Sequence, residues 1–166
     1  GKDAHAFLER ICANRIPAKD GGIILGHLLN ANGFIESEIT VTRLAADHFY
    51  VLSAAVAQLH DFDQLNWRKR DGEQVTIADI TDDDGALVLA GPRARDVLRQ
   101  CTATDLGNDT FRWLTGKGAN VAGVDGVRLL RVNYVGELGW ELHVPMADMP
   151  KVYDALMAAG RPHGVR

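Results

Sequence analysis

The stretch Tyr134-Val135-Gly136-Glu137-Leu138-Gly139-Trp140-Glu141 constrains this chain more than any other. Two glycines three residues apart sit at a tight reversal between runs rich in β-branched and aromatic residues, 127–135 before it and 140–145 after it. The segment therefore reads as a β-hairpin, and a hairpin needs antiparallel pairing, which argues against a purely parallel βαβ sheet. A two- or four-residue loop centred between Glu137 and Leu138 gives one register, with paired residue numbers summing to 275. That register sets Tyr134 opposite Glu141, with Cβ atoms ~5 Å apart on one face. By spacing alone, a phenol beside a carboxylate is either a small directional clamp or a surface pair that serves only the sheet, as most such pairs do.

A second reversal falls at Asn30-Ala31-Asn32-Gly33. With Asn32-Gly33 at the centre of a type I′ turn, paired numbers sum to 65 and Glu38 faces His27; a longer loop pairs Glu38 with Leu25 instead. The following run, 34–44, alternates Ile35, Ser37, Ile39 and Val41 with Glu36, Glu38, Thr40 and Thr42, so Glu38 lies on a polar face. On this evidence it is a solvated carboxylate unless something else marks it.

Four segments carry apolar residues at helical spacing. The first, 2–13, lines up Ala4, Phe7, Leu8, Ile11 and Cys12; the second, 55–70, lines up Val56, Leu59, Phe62 and Leu65. A third opens at Gly91-Pro92 with Pro at the first helical position. The fourth uses Asp148 as N-cap, Pro150 in its first turn, a stripe of Met149, Val152, Tyr153 and Leu156, and Gly160 as its stop. Strands are expected at 22–29, 34–44, 49–53, 74–80, 86–90, 127–135 and 140–145. Adjacent strand pairs mixed with helices predict an α+β fold with antiparallel sheets and packed helices.

A length of 166 residues suits one domain or two small ones. With 18 Lys and Arg against 22 Asp and Glu, the net charge of −4 gives nucleic acid no basic surface to grip, so no nucleic-acid partner is expected. No apolar run approaches the ~20 residues needed to span a bilayer, so no membrane partner is expected. Cys12 and Cys101 belong to no metal-binding spacing, and the histidines form no HExxH, so no metal is expected either. Two distant cysteines suit a reducing, cytoplasmic compartment, with a single disulfide as the other option. Gly116-Lys117-Gly118 lacks the context of a phosphate cradle and reads as a flexible loop. The opening Gly1 and the closing Gly164-Val165-Arg166 suggest a piece of a longer polypeptide.

Four collinear segments resemble the glycine-cleavage aminomethyltransferase family. The run from Arg131 to Leu142 is similar to its S-Y-[TV]-G-E-x-G-[FYW]-E hairpin, and Asn32-Gly33 through Leu44 to its G-G-x-x-S-D-[IL]-T-V-x-R-L strand. Leu89-Ala90-Gly91-Pro92-Arg93-Ala94-Arg95 is similar to its L-x-G-P-x-A-R joint, and Gly1 through Leu8 to its G-x-D-A-x-x-F-L helix. Gly139-Trp140-Glu141-Leu142 and Leu59-His60-Asp61 look most like the folate-binding part of dimethylglycine and sarcosine dehydrogenases.

The resemblance implies that residues 1–166 are a truncated aminomethyltransferase-like folate-binding domain, with the family's C-terminal β-domain and any N-terminal flavin domain lying outside it. It implies a tetrahydrofolate site in which Glu141 holds the pterin and Tyr134 lines the pocket. A 2-amino-4-oxopyrimidine edge offers two adjacent N–H donors, and a carboxylate accepts both in parallel. The family carries a catalytic Asp beside the reacting folate nitrogen, and Glu38 stands in that place. The extra methylene displaces the carboxylate, and a ~1 Å shift of a catalytic group can cost ~100-fold. The implied activity is transfer of a one-carbon unit from an N-methyl amine to tetrahydrofolate, with folate and amine as small-molecule partners and FAD confined to a separate domain. The fragment is expected to be inactive alone. A non-catalytic folate-binding regulatory or scaffold module is the alternative, supported by Glu38 in place of Asp; a demethylase acting on another methyl donor is a third reading.

Overall fold

Phe7, Leu8 and Ile11 recur at three- and four-residue spacing, and they become the buried stripe of α1 (Ala4–Ile11). The computed structural model describes all 166 residues and divides them into two compact units, Gly1–Asp79 and Ile80–Arg166.

In the first unit, β1 (Ile23–Leu29), β2 (Ile35–Ala45) and β3 (His48–Ser53) form an antiparallel sheet in the order β1-β2-β3. Ser37, Ile39 and Val41 point inward from β2 while Glu36 and Glu38 stay exposed, as the alternation requires. The core joins these strands to α1 through Phe7, Leu8, Ile11, Leu28, Ile39, Val41, Leu65 and Val75.

The β1–β2 register sums to 65, with His27 opposite Glu38, but the turn is not the expected Asn-Gly type I′. Gly33 N donates to Asn30 O, Asn30 N donates to Phe34 O, and Gly33 takes φ +80°, which is a three-residue loop with the glycine in its left-handed position. That loop alone would give a sum of 64; a bulge after Leu28 adds the missing residue. Asn30 Oδ1 accepts from the N–H groups of Asn32 and Phe34 and so holds the loop shut.

Two expectations fail in this unit. The helix expected over 55–70 splits into a 3₁₀ turn at Ala55–Ala57 and α2 (Gln58–Trp67). The 3₁₀ turn puts Val56 out of phase with α2, and Leu59 stands six residues, about 120° of helix, before Leu65. Val56 is 98% exposed and Leu59 76% exposed, while Asp61 and Leu65 face inward. The strand expected over 74–80 does not form, and the segment pairs with no strand. Val75 is buried as the alternation suggests, yet Gln74 N donates to Asp3 Oδ2 and Val75 N to Glu73 O, so its main-chain donors are spent outside a ladder.

In the second unit, β4 (Asp84–Ala90), β5 (Gly116–Val121), β6 (Val124–Leu130) and β7 (Gly139–Pro145) form an antiparallel sheet in the order β4-β7-β6-β5. The helices α3 (Ala94–Leu98) and α4 (Met149–Gly160) contribute Ala94, Val97, Leu98, Val152 and Leu156 to one core with Val127, Leu129, Trp140, Leu142 and Val144. Asp148 is the N-cap residue of α4, as expected, although its side chain makes no capping bond. Gly85 on β4 passes directly beneath α4, where a Cβ would lie 1.6 Å from Met149 Sδ.

The segment read as a flexible loop at Gly116-Lys117-Gly118 is the edge strand β5. Two glycines hide its strand character, since glycine is poor at packing a pleated face. It reaches β6 through Ala122-Gly123, both at positive φ, between the paired Val121 and Val124. That is a two-residue hairpin without the Asn that usually announces one.

Candidate functional site

Glu141 takes its position from β7, which is clamped between two neighbours. It lies opposite Val88 on β4 and Leu130 on β6, so the carboxylate rises between two apolar side chains. The β6–β7 register sums to 271, not 275, and this overturns the expected pairing of Tyr134 with Glu141. Tyr134 lies instead in the 131–138 connection and is 96% exposed.

The shift of four residues has a plain cause. Side chains alternate with period two, so both registers put the same residues inside and the hydrophobic pattern cannot choose between them. Local anchoring chooses. Arg131 N donates to Thr115 O and Leu114 N to Arg131 O, which commits Arg131 to the β5 side. Its guanidinium donates to Phe111 O and to Asn108 Oδ1. Gly91 N donates to Leu138 O, which extends β7 along β4 instead.

The residues sharing Glu141's face form a chain of charges across three strands. His143 Nε2 lies 3.3 Å from Glu141 Oε2. Arg128 faces His143 from β6 and reaches over β7 to donate to the Asp84 carboxylate on β4. His143 is buried, and Glu141 keeps a side-chain exposure of 29%. The arrangement leaves a half-buried carboxylate steadied from one side by an imidazole, with acceptor capacity left for a ligand bearing paired N–H donors. Sequence reasoning missed His143, Arg128 and Asp84; the position of His143 two residues beyond Glu141 on the same strand face was the available signal.

Glu38 belongs to the first unit. Its Oε2 lies 3.3 Å from His27 Nε2 across the β1–β2 ladder, and the side chain is half exposed. Glu36, two residues back on the same face, lies 3.8 Å from His60 Nε2, and His60 Nδ1 lies 3.0 Å from the buried Asp61 carboxylate. Glu38 is thus an accessible carboxylate with an imidazole neighbour. Cys12 and Cys101 are both free, and burial pushes both thiols up, so neither is poised as a nucleophile at neutral pH.

Comparison with known proteins follows the same lines. The family described as "GCVT N-terminal domain" matches residues 1–166. The mitochondrial dimethylglycine dehydrogenase of Homo sapiens is 37% identical over 169 residues, and the mitochondrial sarcosine dehydrogenase of Mus musculus 36% identical over 180. Each match covers 99% of this chain, which spans only 19% of the length of either dehydrogenase. Among solved structures, the glycine cleavage system aminomethyltransferase T from Bartonella henselae superimposes with a TM-score of 0.76 at 26% identity, covering 97% of this chain and 42% of that one. No helix of the chain is long and apolar enough to cross a membrane.

Proposed function

The chain belongs to the GCVT N-terminal domain family, and from that premise we propose that it is the tetrahydrofolate-binding part of an enzyme that passes a one-carbon unit from an N-methyl amine of the dimethylglycine or sarcosine type to tetrahydrofolate. One observation carries the reading. The carboxylate of Glu141 stands between Val88 and Leu130 with His143 on one oxygen, an acceptor suited to an aromatic heterocycle that presents two N–H groups in its plane.

In this reading Glu141 accepts the pair of N–H donors of the pterin, while Val88 and Leu130 shield those hydrogen bonds from water. Tetrahydrofolate supplies the nitrogens that take up the one-carbon unit. Glu38 is the carboxylate that holds a proton for the transfer step, with His27 across the ladder as its neighbour. The register leaves Tyr134 no cross-strand role, so any contact it makes with folate comes from the 131–138 connection. A flavin, where the whole protein uses one, belongs to another domain. The mitochondrial location in the names of the mammalian dehydrogenases stands beside the expected cytoplasmic one, and two free thiols suit a reducing compartment in either case.

The test is calorimetric titration of tetrahydrofolate into the intact protein, paired with detection of 5,10-methylenetetrahydrofolate on adding dimethylglycine or sarcosine. Saturable binding with product supports the enzyme. Binding without product supports the second reading, a non-catalytic folate-binding module, for which the observation is Glu38 at the place of the family's Asp. Absence of binding overturns both.

A further inference from the structure

We propose that Arg95 and Arg131 form a binding site for a small oxyanion, a carboxylate or phosphate group, on the face of the second sheet opposite Glu141. The two guanidinium groups donate to the same atom: Arg95 Nη2 lies 2.6 Å and Arg131 Nη2 2.8 Å from Asn108 Oδ1. Their charged centres also lie 5.7 Å and 5.6 Å from the centre of the Trp140 ring. Two positive charges are therefore held within a few ångströms of each other by a neutral amide oxygen and an aromatic ring.

No carboxylate pairs with either arginine, although the two charges stand side by side. Arg131 is held below the ordinary arginine range first by desolvation and then by the charge of Arg95 beside it. Donors are left over as well. Each guanidinium carries five N–H groups, and Arg95 makes a single hydrogen bond to protein, through Nη2. Its Nε is buried without an acceptor, and so is Nε1 of the fully buried Trp140.

A cluster with surplus positive charge and surplus donors, and no surplus acceptor, is completed by an anion with two or more oxygens. Asn108 is exposed and both arginines are partly so, which leaves the site open to solute. Trp140 and Glu141 are consecutive on β7 and point to opposite faces, so this site is separate from the proposed pterin contact.

The experiment measures binding of inorganic phosphate and, separately, of glutarate to the intact protein by calorimetry, with chloride holding ionic strength constant. Wild type should show a saturable component for at least one of the two, and the arm that saturates at lower concentration identifies the oxyanion. Arg95→Met should weaken that component tenfold or more. Asn108→Asp places a carboxylate between the guanidinium groups, so it should abolish the component and raise the thermal midpoint of the unit. The second variant protects the test against misfolding of the first, because it is expected to gain stability. No saturable component in wild type, an undiminished one in Asn108→Asp, or a lowered midpoint in that variant would each overturn the proposal.

Discussion

Replacing Glu141 by Gln changes one oxygen of the proposed pterin contact into an NH₂ group and leaves the shape of the side chain almost untouched. In the wild-type geometry Oε2 lies 3.3 Å from His143 Nε2, and both oxygens keep lone pairs for a ligand. The amide has a single oxygen, which turns toward His143 or toward the pterin. In either orientation the NH₂ group meets an N–H donor at close range. The loss comprises one charge-assisted hydrogen bond and the desolvation of an unpaired donor, about 1.5–3 kcal/mol together. The site is only partly buried, with Glu141 flanked by the exposed Val88 and the buried Leu130, so the middle of that range is expected. Tetrahydrofolate should bind about 30- to 70-fold more weakly to Glu141→Gln. Titration calorimetry on the intact protein measures this, with thermal unfolding as the check on the fold. An affinity within twofold of wild type, at an unchanged midpoint, would refute the assignment of the pterin to this carboxylate.

Four further outcomes are expected. Glu38→Gln should leave tetrahydrofolate affinity nearly unchanged while single-turnover formation of 5,10-methylenetetrahydrofolate falls by ~100-fold; a parallel loss of affinity would make Glu38 a ligand contact. Phe7→Ala should destabilise the first unit by about 3–5 kcal/mol in urea unfolding, whereas Val56→Ala should stay within ~0.5 kcal/mol, because only Phe7 is buried. Gly85→Ala should cost about 1–3 kcal/mol by forcing the Met149 side chain aside, and Met149→Ala should recover much of that loss in a double-mutant cycle. Glu73 is held below the ordinary carboxylate range first by the Arg70 N–H and then by Arg10, so its stabilising contribution is complete above that range and lost as pH falls through the lowered folded value; the stability difference between wild type and Glu73→Gln should vanish on acidification.

The sequence carried the elements whose signals are local and doubled. The cap position of α4 with its buried Val152 and Leu156, the stripe of α1 and the alternation of β2 are where the pattern put them, while Tyr153 of the α4 stripe is exposed. Pairing was legible only where a turn fixed it. At His27 and Glu38 the register held although the turn was different, because the bulge after Leu28 cancelled the change in loop length. At Glu141 it did not hold, since a shift of four residues is invisible to a period of two, and the anchors that decide it, Phe111 O, Asn108 and Thr115, are distant in sequence. The exposed Leu59 shows the limit for helices: it stands six residues before the buried Leu65, about 120° around the same helix, so apolar residues at three-residue spacing drift off one face. His143 escaped notice for another reason. Its place two residues beyond Glu141 marks a shared strand face, but one sequence does not say that this face is buried there.

Because β7 is hydrogen-bonded on both flanks, to β4 and to β6, the peptide connecting it to β6 is not what keeps Glu141 in place. Covalent continuity through 131–138 is then dispensable to the sheet. A chain cleaved near the exposed Tyr134 and Val135 should stay assembled, with its two pieces held by the ladders alone. Between the anchored Arg131 and Leu138, the connection can accordingly be opened to new termini without moving the carboxylate that follows it. The protein engineer can place a break there, to alter what approaches the site while leaving the site itself fixed.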